Sequence, residues 1–174
     1  MNDIKTLDNL NISSYRVDIE KLPFFNYKIK EVDMPSFTLP SVSSPNPMQT
    51  MKVPGDHLEF DPLSINFIID ENLYNYCGIM NWMFGLGFPN SFEDFQKLIG
   101  EGVTATSKRS YTARETSDIT IHLLTNHQNS NRVVKFYNAF PTTLSGVNLS
   151  NRNSTSNQIE ATVTFEFTGM KYVL

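Results

Sequence analysis

Apolar and polar residues alternate with a period of two along much of the chain. The pattern is cleanest in QIEATVTFEFTGMKYVL, where Ile159, Ala161, Val163, Phe165 and Phe167 share one face and Glu160, Thr162, Thr164, Glu166 and Thr168 share the other. DPLSINFIID repeats it, with Leu63, Ile65, Phe67 and Ile69 against Ser64, Asn66 and Asp70. A period of two lets a strand bury one side and wet the other, so both segments are predicted half-buried strands. SYRVDI (14–19), through Tyr15, Val17 and Ile19, and NYKIKEVDM (26–34), through Tyr27, Ile29 and Val32, are predicted to pair as a hairpin across KLPFF. DITIHLLT, with Ile119, Ile121 and Leu123 inward, and RVVKFYNAF (132–140) are predicted to form a second hairpin.

After DPLSINFIID the period changes. In ENLYNYCGIMNWMFGLG, Leu73, Tyr76, Cys77, Met80 and Phe84 recur at helical spacing beside Met83 and Trp82. This predicts one helix whose apolar stripe covers a sheet, stopped by Gly85, Gly87 and Pro89. SFEDFQKLIG (91–100) predicts a short second helix with Ser91 and Asp94 as its capping pair and Gly100 as its stop.

Two segments fit neither period. Residues 34–54 hold five of the nine prolines, Pro35, Pro40, Pro45, Pro47 and Pro54. Proline has no donor N–H, so this segment is neither helix nor central strand and is predicted to be an extended arm or long loop. It also carries Phe37, Leu39, Met48 and Met51, which a solvated linker has no use for; they are candidate inter-subunit contacts. Residues 101–117 are polar, aperiodic and longer than a compact domain commonly holds without a purpose. Their Lys108, Arg109 and Arg114 are candidate contacts to acidic residues of a neighbouring subunit.

The predicted fold is mainly β with one principal helix (α+β): an antiparallel β-sandwich or barrel of six to eight strands with a flanking helix. One domain spans 1–174, with an N-terminal tail at 1–13, the Pro-rich arm at 34–54 and the polar, basic loop at 101–117.

Composition narrows the function. Apolar residues make up 40%, which excludes a disordered polyampholyte, and charged residues only 18%, against roughly 25% in typical soluble domains. A surface largely covered by partners suits that deficit. The net charge of −4 gives no expectation of a basic nucleic-acid face. The single Cys excludes an intrachain disulfide and fits a reducing compartment. No apolar run reaches the ~18 residues of a membrane span. MNDIKTLDNLNISSY lacks a signal-peptide layout, so folding in a cytoplasm is expected.

No catalytic, cofactor or metal constellation is expected. Of His57, His122 and His127, the last two flank one turn, but with no Cys and few acids nearby they read as a solvated pair, not a metal site. Cys77 has no base or cationic neighbour in sequence and reads as a small core residue. Ser145-Gly146 lacks the preceding glycine of a nucleophile elbow. GLG is followed by Phe-Pro and is a helix stop, not a phosphate cradle. NIS, NLS and NST match glycosylation acceptors only by chance in a chain without a secretory signal. Two other function classes remain: a small-ligand or carbohydrate-binding β-domain with Trp82, Phe84 and Phe88 as an aromatic platform, and a hydrolase whose site carries no recognisable motif.

The order of the segments is informative. YRVDIEKLPFFNYKIKEVDMPSF, VPGDHLEFDPLSINFIIDENLYNYCGIMNWMFGLGFP, SDITIHLLTN, VVKFYNAFPTTLSG and ATVTFEFTGMKYVL together resemble the tail-tube protein family of contractile-tailed bacteriophages. That fold group includes baseplate tube initiators and the type VI secretion tube protein. The resemblance runs from Tyr15 to Leu174 and is most specific over residues 53–89. It implies a virion structural protein without a cofactor, assembled in the host cytoplasm. Its protomers would form stacked hexameric rings, the inner tube of the tail, with strands of neighbours joined into a continuous inner barrel. Its partners would be itself and the tail sheath, baseplate or tail-terminator proteins, with DNA passing through the lumen without sequence-specific binding. The absence of long extra segments, which tube initiators are expected to carry, favours the repeating subunit. A baseplate initiator or tail-completion end ring of the same fold is the alternative. A DNA conduit has to avoid retaining phosphate, so a polar, non-basic face such as Glu160, Thr162, Thr164 and Glu166 is a candidate lumen or interface wall.

Overall fold

The computed structural model describes residues 14–45, 48–87, 115–125, 129–147, 149 and 158–173. Its frame is a long ribbon of antiparallel strands. β1 (Tyr15–Ile19), β2 (Ile29–Asp33) and β7 (Leu63–Ile68) are contributed early in the chain, and β8 (Ser117–Leu124) later. The ribbon itself is β9 (Ser130–Leu144) against β10 (Glu160–Glu166) and β11 (Gly169–Val173). Glu166 lies opposite Phe140 and Gly169 opposite Tyr137, so the register continues across the break at Phe167 and Thr168. Thr168 fixes this corner by donating from its N–H and its hydroxyl to the Tyr137 carbonyl, each at 3.1 Å.

Pairs of strands flank the ribbon at its two ends. β8 and then β1 extend it beside the first part of β9, while β7 and then β2 extend it beside β10. Two four-stranded sheets result, β1-β8-β9-β11 and β9-β10-β7-β2, sharing β9 and not closing into a barrel. β9 passes between them through two bulges. At the first, Asn138 takes φ 52° and its N–H donates to Asp118 Oδ1 at 3.1 Å. Asn tolerates this left-handed backbone better than most residues, which suits the extra residue of a bulge. At the second, Thr164 faces Thr143 but Phe165 faces Pro141, which places the proline where the ladder is already broken.

The inward faces meet in one core: Val17 and Ile19, Leu63, Ile65 and Phe67, Ile119 and Ile121, Val134, Phe136 and Ala139, and Ala161, Val163 and Phe165. The alternation predicted for these strands is therefore the observed one. The predicted pairing of the first two strands is not. β1 pairs with β8 and β2 with β7, and a 3-10 helix, Pro23–Lys28, separates them. That helix drives Phe25 into the core, with its ring 4.6 Å from that of Phe67. A segment that buries a large ring between the sheets sends its two flanking strands to different sheets.

The predicted helix is α1 (Tyr74–Gly87), and its buried face is only partly the predicted one: Tyr76, Trp82 and Met83 pack in or against the core as expected. Asn75, Ile79, Trp82 and Gly85 are buried, whereas Leu73 and Phe84 are exposed and Cys77 is only half-buried. Asn75 sets this rotation. Its amide donates to the Ile68 carbonyl at 2.7 Å, and its Oδ1 accepts from the N–H groups of Asp70 and Tyr76. The first turn is thereby tied to the end of β7, and the chain reaches it through Leu73 at φ 58°.

Residues 34–62 leave the body as an arm. β3 (Phe37–Thr38) pairs with β6 (Glu59–Phe60), and β4 (Ser41–Pro45) pairs with β5 (Thr50–Pro54). The Pro-rich segment, predicted extended or looped, is thus a hairpin on a short stem. Pro45 and Pro54 each end a strand, where a two-stranded ladder tolerates them. Gly55 closes the base: its N–H donates to the Pro40 carbonyl at 2.7 Å, and a Cβ there would stand 2.6 Å from that oxygen. The predicted helix at 91–100 and nearly all of the 101–117 loop lie outside the described residues.

Candidate assembly surfaces

Three surfaces of the body and arm carry side chains that the core does not use. The first is the outward face of the sheet β9-β10-β7-β2. Thr162 lies opposite Asn66 and Thr164 opposite Ser64, while Glu31 and Asp33 of β2 lie opposite the same two β7 residues. Glu160 and Glu166 end the β10 row and are exposed, so the four residues predicted to share a polar face do share one. Ile68, opposite Glu160, lies among them. Lys30 holds Glu160 at 2.5 Å. That hydrogen bond, helped by the lysine charge and by Asn66, pulls the Glu160 carboxyl below the ordinary glutamate range, against a smaller effect of burial. The basic charge on this wall is therefore matched by a carboxylate. At the neighbouring corner the Tyr15 hydroxyl donates to the Lys30 carbonyl at 2.7 Å, and burial and then Glu31 raise its pKa.

The second surface is the arm. Phe37, Leu39, Met51 and Met48 are all exposed, Met48 at 94%, as are Val42 and Val53. Val42 pairs with Val53 and Ser44 with Met51, which puts the apolar side chains on one face of the hairpin; Ser43 and Lys52 are paired on the other. The stem is anchored by a chain of rings, Phe37 to Phe60 at 5.6 Å, Phe60 to Phe167 at 5.9 Å and Phe167 to Phe136 at 4.9 Å. The arm is thus an outgrowth of the core, held at its root by these rings and carrying exposed apolar side chains along the hairpin.

The third surface was not predicted. It is the outward face of α1, where Leu73, Tyr74 and Phe84 are exposed, Tyr74 at 76%. α1 contains no Asp, Glu, Lys or Arg in its 14 residues. A helix face that stays in water normally carries charge. The missing charge was visible in the sequence; of the predicted stripe, Tyr76 packs against the core together with Met83, Cys77 and Met80 are half-buried, and Leu73 and Phe84 are exposed.

Lys108, Arg109 and Arg114 lie outside the described residues. The aromatic platform does not form. Trp82 is 2% exposed and its Nε1–H donates to the Glu115 carbonyl at 2.8 Å, while Phe84 points outward; Phe88 lies outside the described residues. Lys21 covers the Trp82 ring at 4.9 Å, and burial lowers its pKa against the opposing pull of Glu115. His122 pairs with Asp18 at 3.3 Å and lies 3.4 Å from Ser130 Oγ; His127 lies outside the described residues. Among the described residues no three His, Cys, Asp or Glu side chains gather as metal ligands. No described helix is long and apolar enough to cross a membrane.

The family model for phage tail tube proteins matches residues 6–173. The chain belongs to the phage tail tube protein family. A curated relative, the tail tube terminator protein of Enterobacteria phage T4, is 26% identical over 148 residues, covering 83% of this chain and 76% of its own. The fold is also that of the tube-terminating cap of the anti-feeding prophage, with TM-score 0.64, 11% identity and coverage of 99% of this chain and 95% of that one. The sheath/tube terminator of the PVC extracellular contractile injection system, in its extended state, superposes with TM-score 0.61 and 13% identity, covering 97% of this chain and all of that chain, 100%. The chain is a structural protein of the phage tail, of the tube or of its terminator.

Proposed function

We propose that this tail tube family protein forms the ring that completes a contractile phage tail tube at its end. The observation that carries this reading is the 26% identity, over 83% of the chain, to a protein named as a tail tube terminator.

The geometry supports a ring. Among the described residues, the sheet β9-β10-β7-β2 has two open edges, β2 on one side and the Phe140–Leu144 part of β9 on the other. Long open edges of amphipathic strands invite uncontrolled pairing unless they are closed. Edge-to-edge joining of β2 to β9 of the next copy is a heterologous contact, and when its rotation closes it gives a ring. The polar face with Glu31, Asp33, Thr162, Thr164, Glu160 and Glu166 then lines the lumen, and the apolar face stays in the core. Such a wall lets DNA slide, because it offers phosphate few cations. The arm reaches the neighbouring subunit or ring, and sheath or neck components are the further partners.

Imaging the purified chain by negative stain over a concentration series tests the ring. Closed rings of about six chains, with stacking absent or limited to short pairs, are expected. Long tubes of stacked rings would favour a repeating subunit. A strict monomer at every concentration would remove the ring altogether.

A further inference from the structure

The outward face of the sheet β1-β8-β9-β11 carries a like-charge pair. Lys135 of β9 lies directly opposite Lys171 of β11, both are exposed, and among the described residues neither is in an ion pair. Like charges opposite each other on neighbouring strands destabilise a sheet. The carboxylates of this face do not relieve them. Asp18 stands two strands away, across Thr120, and already holds Arg16, Asn26 and His122. Asp118 accepts from the Asn138 N–H. Tyr137 and Val173, each 36% exposed, flank the lysines. Among the described residues β11 pairs only with β9. A lysine at the centre of such an edge strand discourages a further strand, so a partner meets this sheet by its face.

The same chain carries a matching counterpart on the stem of its arm. Phe60, paired with Phe37, turns its ring towards Phe167 and the body. Side chains alternate along a strand, so Glu59, opposite Thr38, points away from the body, and Asp61 follows on the same side, where the Ser36 hydroxyl donates to it. Both carboxylates are exposed, and among the described residues neither is in an ion pair. We propose that the stem of one protomer lies on this sheet face of a neighbouring copy, with Glu59 and Asp61 against Lys135 and Lys171. Two carboxylates about 7 Å apart along a strand meet two lysines rooted about 5 Å apart, a difference that flexible lysine stems span. Ser36 and Thr38 bring no charge against Tyr137 and Val173. A nucleic-acid backbone is the poorer occupant, because Asp18 and Asp118 on the same face repel its phosphates. The contact joins two different surfaces of identical chains, so it is heterologous and compatible with a closed ring. It rests on the ring reading above and names which parts of adjacent protomers meet.

Reversing the charge of one side at a time tests the contact. Lys135→Glu/Lys171→Glu and Glu59→Lys/Asp61→Lys are each expected to fold, by circular dichroism. Each is expected to need about tenfold or more higher concentration than the unmodified chain to form rings, read by analytical ultracentrifugation. An equimolar mixture of the two variants is expected to recover, because each supplies the charge that the other lacks, and so is a chain carrying all four changes. Where a reversal misfolds, Lys135→Gln/Lys171→Gln and Glu59→Gln/Asp61→Asn take its place; each is expected to weaken assembly, and combining them to add no further loss. Unchanged assembly, the result expected if another tail protein or DNA covers the lysines, overturns the contact and leaves the ring standing. Weakened assembly that neither mixing nor the fourfold exchange recovers overturns it too. An unmodified chain that never forms rings overturns both readings.

Discussion

Trp82 donates a 2.8 Å hydrogen bond to the carbonyl of Glu115, two residues before β8 begins. The bond ties α1 to the entry of the sheet β1-β8-β9-β11, and the indole fills the space beside Phe165 at 6.0 Å. The side chain considered as part of a binding platform is therefore a rivet of the core. Trp82→Phe keeps most of the apolar surface and loses the donor, and is expected to cost about 1–3 kcal/mol, read as a lower denaturant midpoint. Trp82→Ala adds a cavity and is expected to cost about 3–5 kcal/mol. A Trp82→Phe protein of unchanged stability would mean that the bond contributes nothing.

Asn75 is buried and satisfies three backbone groups at the step from β7 to α1. Asn75→Ala leaves the Ile68 carbonyl and the two N–H groups without that partner. The expected loss is about 1–3 kcal/mol in a chemical unfolding curve. Asn75→Asp keeps the acceptor and loses the donor to Ile68, so its loss is expected to be of similar size and to shrink as acid protonates it.

Glu160 titrates below the ordinary glutamate value because Lys30 hydrogen-bonds it. A carboxylate with a depressed folded pKa adds stability above its unfolded value, ~4.3, and loses that stability as pH falls through the folded pKa. Lys30→Met is expected to move the Glu160 titration midpoint, followed by carboxyl NMR, up towards the unfolded value. The pair is exposed, so the change in overall stability is expected to be small. A midpoint that does not move would show that Lys30 does not set it.

Thr162 and Thr164 face away from the core on the proposed lumen wall. Replacing both with Arg is expected to leave the isolated protein folded and ring-forming, and to slow or block DNA delivery from particles that carry it. Replacing both with Ser is expected to do neither. Normal infectivity of the Arg variant, with correctly assembled tails, would remove this face from the channel.

The strands were legible because each needs only its own residues to declare a face. Leu63, Ile65 and Phe67, and Ala161, Val163 and Phe165, are buried as the alternation required. The pairing of β1 and β2 was not, because their partners are set by contacts far along the chain: Val17 faces Ile121 and Val32 faces Ile65. α1 shows the limit most clearly. Its stripe Asn75, Ile79 and Trp82 and its stripe Leu73, Cys77 and Phe84 are both largely apolar, and no charged residue marks the solvent side. Only the Asn75 bonds to β7 and the Trp82 bond to Glu115 choose between them. The polar wall on β10 was readable from one strand, but its extension by Ser64, Asn66, Glu31 and Asp33 required the sheet order. The arm was readable as an outlier, through prolines beside apolar residues, and its hairpin register was not.

The position of the chain in the tail is tested most directly by a cryo-EM reconstruction of the intact phage tail with this sequence traced into density. An end-ring protein is expected in a single ring at one end of the tube, with a different chain filling the rings below it. Density for this chain in every ring along the tube would contradict that role and make it the repeating subunit.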